Sequence, residues 1–166
     1  MSDVEQLDDV AGMSGLDLFC GEFTHQLDDK NRVTVPADWR AMIGVPDRLF
    51  IAKSNEGNFR ILHATPARTI MKNLKLENLS VASETASRNH RSIAQRGALF
   101  PCDGQGRIRL PDAMLKYAGI KSKGKIGLIG TLDGFQIWNE ADCPYEENEP
   151  TPQDQFKSAM HSVGLK

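Results

Sequence analysis

At 166 residues, 40% of them hydrophobic, the chain is long enough to bury a real core, as one compact domain or two small halves. Its apolar runs are only a few residues long, which excludes a membrane-spanning helix. The acidic opening MSDVEQLDDVAGMSGLD lacks the basic-then-apolar order of a signal peptide and predicts a cytoplasmic protein. A formal charge of −2 hides a segregation: residues 1–29 hold eight acids and no Lys or Arg, residues 140–166 hold six acids and two Lys, and residues 30–139 keep 18 basic against eight acidic side chains, a net of +10. A basic middle between acidic ends suits contact with an anion, although a solvated face has the same composition.

In chain order, residues 1–17 read as an acidic extension without fixed structure. A lead-in strand carrying His25 runs into the turn Asp28-Asp29-Lys30-Asn31, where Asn31 is the residue suited to positive φ. Arg32-Val33-Thr34-Val35 alternates polar and apolar, a strand with one face toward the core. Pro36 ends it and suits the first turn of a short helix, ADWRAMI, that stops at Gly44. LFIAKSNEGNFRIL (49–62) reads as two strands around a turn. Thr65-Pro66 looks like an N-cap and first helical residue before ARTIMKNLKLENL, and Ser83 caps a second helix, SETASRNHRSIAQRG, polar on most sides. The tail from Glu146, with Pro150 and Pro152 among acids, is expected to lack fixed structure.

After the connector the phrase repeats. Placing Arg32 on Arg107 aligns the chain with itself at an offset of 75: Asp28 on Asp103, Val33 on Ile108, Val35 on Leu110, Pro36 on Pro111, Gly44 on Gly119. Gly106 fills the place of Asn31, and IGLIGTLDGFQIW (126–138) answers LFIAKSNEGNFRIL with a small shift. Each copy, a unit of about 45 residues, reads strand, turn, strand, short helix, strand, turn, strand. Four short strands and one two-turn helix bury too little surface to stand alone. Two copies that exchange hairpins complete each other, so the expected fold is mainly β with short helices (α+β), a tandem pseudo-dimer. Its parts are a first repeat at 22–69, a helical connector at 70–96, a second repeat at 97–140 and a flexible acidic tail at 146–166. Trp39 and Trp138, in matched elements of the two copies, and the corresponding pair Phe59 and Phe135 are expected to fill the core.

Little points to catalysis or metal. Cys20, Cys102 and Cys143 are odd in number and far apart, without CxxC or Cys/His spacing, so three reduced and mostly buried thiols are expected. His25 and His63 have no second ligand nearby. No Ser/His/Asp order, Gly-rich phosphate loop or paired inward carboxylates falls in a plausible pocket, so no enzyme activity, cofactor, metal or small-molecule substrate is expected.

The stretches LFCGEFTHQLDDKNRVTVPADWR (18–40) and DGQGRIRLPDAMLKYAGI (103–120) resemble the two DxxxR signatures of the MraZ family, bacterial transcription regulators built from two AbrB-type swapped-hairpin units. The lead-in Gly21, Phe23, His25, Leu27, Asp28 and the closing GFQIW (134–138) match as well, and the resemblance covers residues 18–139. Cys20 stands where that family usually has a basic residue, and Asn31 replaces its usual turn glycine. The resemblance implies an AbrB-like barrel and a nucleoid-associated regulator that forms ring-shaped homo-oligomers. It also implies binding to short direct repeats in promoter DNA, typically ahead of a division and cell-wall operon.

On that basis the expected DNA-contacting residues are Lys30, Asn31, Arg32, Arg107, Arg109 and Arg40. A hairpin turn can enter the major groove, where Arg reads guanine through two hydrogen bonds and Lys or Asn adds polar reach. Arg40, Arg48, Arg91 and Arg96 are candidates for phosphates. Asp28 and Asp103 are read as turn-stabilising, since carboxylates repel phosphate. The same ion pairing would make Arg32 and Arg107 architectural; for Arg32 the resemblance tips the reading toward DNA, and for Arg107 and Arg109 both readings stay open. Copy two lacks the charge of Lys30, so copy one is expected to be the better reader. Alternatives are an antidote-like swapped-hairpin protein whose tail wraps a toxin, and a protein-only scaffold ring.

Overall fold

Strand alternation sets the inward faces. The computed structural model describes residues 18–43, 48–76, 83–145 and 152–164, and in it Val33, Val35, Ile108 and Leu110 are at most 1% exposed. In chain order the elements are β1 (Glu22–Gln26), β2 (Arg32–Thr34), α1 (Ala37–Ile43), β3 (Arg48–Glu56), β4 (Phe59–Pro66), α2 (Ala67–Leu76), α3 (Glu84–Gln95), β5 (Gly97–Pro101), β6 (Arg107–Arg109), α4 (Asp112–Tyr117), β7 (Lys125–Gly130), β8 (Phe135–Asn139), a 3-10 turn (Glu140–Asp142) and α5 (Pro152–Ser162). The result is mainly antiparallel sheet with a few helices, an α+β architecture as expected.

Six strands form one sheet in the order β1-β7-β8-β4-β3-β5, and β2 with β6 forms a separate two-stranded ribbon. The order mixes the halves of the chain. β1 pairs with β7, Phe23 opposite Leu128, while β5 pairs with β3, Phe100 opposite Leu49. At the sheet centre His63 faces Gln136, flanked by Leu62 opposite Ile137 and Ala64 opposite Phe135. In the ribbon Val33 faces Ile108, flanked by Arg32 opposite Arg109 and Thr34 opposite Arg107. Because Arg32 corresponds to Arg107 and Thr34 to Arg109, the ribbon register is that of a local two-fold axis through the Val33–Ile108 pair.

Between sheet and ribbon lies one core, which includes Leu27, Ile43, Leu49, Ile51, Leu62, Leu115, Ile126, Leu128 and Ile137. Each fully buried Leu or Ile contributes about 1.5–3 kcal/mol relative to exposure, and each half of the chain supplies part of that list. Trp39 carries the largest share from α1. It stacks on Phe135 at 5.1 Å and meets Phe23 edge-on at 5.0 Å and Phe19 at 5.7 Å.

The helices start and stop for local reasons. The carbonyl of Pro36 accepts from Trp39 and Arg40 N–H, and that of Pro111 accepts from Met114 and Leu115 N–H. Pro111 therefore stands at the N-cap of α4, before the first helical residue. Gly119 takes φ +69, and the N–H of Ile120 returns to Leu115 O at 2.8 Å, a glycine stop of the kind expected. Gly44 lies outside the described residues, as does the extension at 1–17. Ser83 caps α3 by accepting from Ala86 N–H at 3.0 Å.

Some expectations are corrected. Thr65 and Pro66 are the last residues of β4, and α2 starts at Ala67. Phe59 does not match Phe135: it is 45% exposed while Phe135 is fully buried, because the register sets Leu62 in the place of Phe135. Trp39 and Trp138 are both buried but sit in unlike elements, a helix and a strand. Within the tail, where composition argued against fixed structure, Pro152–Ser162 form helix α5, with Phe156 exposed. Of the thiols, all free, Cys102 is buried, Cys143 half-buried and Cys20 exposed. No helix among the described residues is long and apolar enough to cross a membrane.

Candidate nucleic-acid interface

Both hairpin turns are built on the carboxylate that opens them. Asp28 Oδ1 accepts from Lys30 N–H at 2.9 Å and Arg32 N–H at 2.8 Å, and Oδ2 accepts from Arg32 Nε at 2.6 Å. Asp103 repeats the set with Gln105 N–H, Arg107 N–H and Arg107 Nε, each at 2.8 to 2.9 Å. An aspartate bonded to the backbone two residues ahead tightens a turn on its own, and the guanidinium four residues on adds a charged clasp. The turns then need one left-handed residue each, and Asn31 at φ +56 and Gly106 at φ +75 supply it.

These contacts fix the electrostatics. Partial desolvation pushes the Asp28 carboxyl up, but hydrogen bonds from the Arg32 backbone and guanidinium and from Lys30 N–H outweigh it and hold the group below its ordinary 3.8. At Asp103 the Arg107 backbone N–H leads, with partial desolvation opposing and the Arg107 side chain and Gln105 N–H adding to it, and the group again lies low. A depressed carboxyl contributes stability above its unfolded value, which is lost as pH falls through the folded value. The melting temperature is therefore expected to drop as pH is lowered from about 5 toward about 2. An Asp28→Asn/Asp103→Asn variant should melt lower than the parent at neutral pH and show a flatter curve in that window. Equal slopes for the two proteins would remove the turns from the acid response.

The ribbon sorts the expected site residues into two groups. At one end Lys30, Asn31, Arg109, Leu110, Pro111 and Asp112 line a cleft of about 380 Å³. Lys30 and Arg109 are exposed, and neither side chain has an ion-pair or hydrogen-bond partner among the described residues. Arg32 lies opposite Arg109 across the ribbon, with its side chain 23% exposed and its Nε held by Asp28. At the other end Arg107 is clasped by Asp103. Arg40 lies there too: it donates from Nε to Val35 O at 2.9 Å and packs over Gly106, where a side chain would collide with it. Arg40 and Arg107 are thus apart from the cleft. Arg91 and Arg96, on and just after α3, are exposed, as is Arg48 at the start of β3.

Sequence reasoning missed one neighbour of the first turn, the loop Lys121–Gly124. Asn31 Oδ1 accepts from Ser122 Oγ and from Lys123 N–H, both at 3.0 Å. The only sequence signal was the charge run KSKGK, at residues 121–125.

His25 lies within reach of the Arg40 charge, and His63 sits at the sheet centre opposite Gln136. Desolvation lowers His25, helped by the charge of Arg40, and lowers His63 against an opposing pull from Asp133. Among the described residues no three His, Cys, Asp or Glu side chains gather as a metal site would need.

No family model matches the sequence. Individual relatives do. The transcriptional regulator MraZ of Clostridium botulinum (strain Eklund 17B / Type B) is 32% identical over 137 residues, which cover 78% of this chain and 92% of that protein. The transcriptional regulator MraZ of Leuconostoc mesenteroides subsp. mesenteroides is 31% identical over 123 residues, 74% of this chain and 81% of that protein. The chain belongs to the MraZ family. A further MraZ, from Desulforapulum autotrophicum, is 29% identical over 153 residues and is covered over its whole length. Membership in MraZ makes this chain a transcription regulator.

Proposed function

We propose that this MraZ-family chain binds double-stranded promoter DNA sequence-specifically, with the first hairpin turn in the major groove of short direct repeats. The observation that carries the reading is the unrelieved charge at one end of the ribbon. Arg32 and Arg109 face each other across two strands, and like charges directly opposite destabilise a sheet. Asp28 offsets Arg32, while Arg109 and the neighbouring Lys30 are left without a partner among the described residues. A polyanion seated on the cleft supplies the missing counter-charge. Arg32 then reads a base edge with Lys30 and Asn31 adding polar reach, Arg109 stands beside them, and Arg107 and Arg40 act from the far turn.

The same reading assigns the fold as a tandem AbrB-like swapped-hairpin barrel, with 22–69 and 97–140 as its units and 70–96 as connector. It keeps the acidic extension and tail off the duplex. One turn offers few contacts, so a single subunit binds weakly; a ring-shaped homo-oligomer meeting successive repeats multiplies affinity through effective concentration. The protein is read as cytoplasmic and nucleoid-associated, acting ahead of a division and cell-wall operon.

The test is a gel shift of the full chain with DNA from upstream of its own gene, against a scrambled duplex. Stronger retardation of the repeat-bearing fragment than of the scrambled one is expected. Raising salt from about 50 to about 200 mM should weaken binding at least about tenfold, as several phosphate contacts require. A flat salt response would instead favour a ring built for protein contacts alone, and equal retardation of both duplexes would remove the sequence specificity.

A further inference from the structure

The two turns are alike in their aspartate clasps and unlike in what they hold beyond them. Asn31 uses its side-chain oxygen to receive Ser122 Oγ and Lys123 N–H. Gly106, its counterpart, has no side chain to do so. On the other side of the same loop, Gln26 Nε2 donates to Lys123 O at 3.2 Å, and Leu27 N–H donates to Gly124 O at 3.0 Å. A loop that follows α4, in the second half of the chain, is thus pinned against the first turn. Lys123 is held at φ +58, a conformation that costs a lysine energy and persists only where its surroundings enforce it.

The pinning sets a lysine-rich loop beside a turn that carries Lys30, although Asn31 and Ser122 are 91 residues apart in sequence. Lys121, Lys123 and Lys125 are exposed, and none has an ion-pair partner among the described residues. Lys30, exposed, is the residue before Asn31, and Arg109 lines the cleft beside it. Of the carboxylates placed nearby among the described residues, Asp29 is exposed in the turn, Asp112 lines the cleft, Asp28 is engaged by Arg32, and Glu140 follows Asn139, the register partner of Ile126. Lysine is a compact, hydrated point charge on a flexible stem, suited to phosphate and poor at reading a base.

From this geometry we infer that Lys121, Lys123 and Lys125 form a phosphate-binding rail continuous with the first hairpin turn, gripping the backbone of the duplex that the turn reads. The inference rests on the DNA-binding reading above and adds a site made from the second half of the chain. The head is composite: one half reads, and the other half grips. Gly106 has no side chain with which to make the latch that Asn31 makes, so the two turns are unequal.

The test uses the full chain with Lys121→Gln, Lys123→Gly and Lys125→Gln together; glycine accepts the positive φ, so the loop keeps its shape. A matched variant with arginine at all three positions keeps the charge. Binding to the repeat-bearing and scrambled duplexes is measured across a salt series. Each phosphate contact contributes a slope of about 0.9 in log affinity against log salt. The neutral variant is expected to lose about 2.7 units of slope, about 0.9 for each of three contacts, and at least about tenfold in affinity on both duplexes, with the arginine variant close to the parent. A slope within about half a unit of the parent overturns the rail, as does a loss confined to the repeat-bearing duplex. A parent that binds neither duplex overturns the DNA-binding reading itself; a parent that binds and a neutral variant that matches it overturn the rail alone.

Discussion

Arg32→Ala is expected to lower affinity for repeat-bearing promoter DNA by about a hundredfold or more, with the fold retained. A bidentate arginine–guanine contact is worth about 1–3 kcal/mol of discrimination, and every subunit engaged on successive repeats loses it at once. A second effect adds to the first. Removing the guanidinium leaves Asp28 charged and facing the phosphates, where a carboxylate repels. Stability should suffer little, because the clasp is partly open to solvent, with the two side chains 23% and 32% exposed, and such pairs contribute modestly. Asp28 also keeps its bonds from the backbone N–H groups of residues 30 and 32. Arg32→Lys should recover only part of the affinity, since an ammonium lacks the forked geometry. Asp28→Ala in the Arg32→Ala background separates the two effects: recovery there measures the repulsion, and the remaining deficit measures the lost contact. Undiminished binding by Arg32→Ala in the gel shift would leave Arg32 with the architectural role alone.

Much of the local structure was legible because it is set by chemistry within a few residues. Asn31 and Gly106 were placed at positive φ by their turns, and both adopt it. Ser83 was placed as a cap and accepts the expected bond. The alternation of Val33, Val35, Ile108 and Leu110 marked one face, and that face is buried. What was not legible depends on partners distant in sequence. Phe59 and Phe135 matched by eye, yet the strand register gives Phe135 the centre of the sheet beside Ala64 and leaves Phe59 at the mouth of a turn. Periodicity cannot carry that register, because a one-residue slip changes every facing pair.

The candidate site divides in the same way. Asp28 and Asp103 stand four residues before Arg32 and Arg107, so their clasps follow from spacing. Arg40 looked like a surface cation on a short helix, and only the arrival of the second turn turns it into packing over Gly106. The lysine loop was overlooked because Asn31 and Ser122 are 91 residues apart. Nothing in KSKGK names its neighbour. The pairing of β1 with β7 brings that loop to the first turn, and single-sequence pattern reading does not supply which strands pair.

Trp39→Ala should cost about 3–5 kcal/mol of folding stability, the range for truncating a large buried aromatic. That is a large part of the about 5–15 kcal/mol that holds a typical domain. Trp39 is 1% exposed; it touches Phe19 and Phe23 from its own half of the chain and stacks on Phe135 from the other. Its indole Nε1 also donates to Cys20 O at 3.0 Å. The corresponding position in the second half is Met114, 7% exposed, which leaves the aromatic weight on one side of the pseudo-symmetric core. Because Trp39 spans both halves, its loss should shift a single cooperative transition rather than melt one half first. Urea denaturation followed by circular dichroism and by the fluorescence of Trp138 should then give coincident curves with a lower midpoint and an unchanged slope. Trp39→Phe should lose less, retaining ring contacts while giving up the hydrogen bond. A cost below about 1 kcal/mol, the level of an ordinary surface change, would show that the aromatic cluster does not hold the halves together, and separate transitions would show that they fold apart.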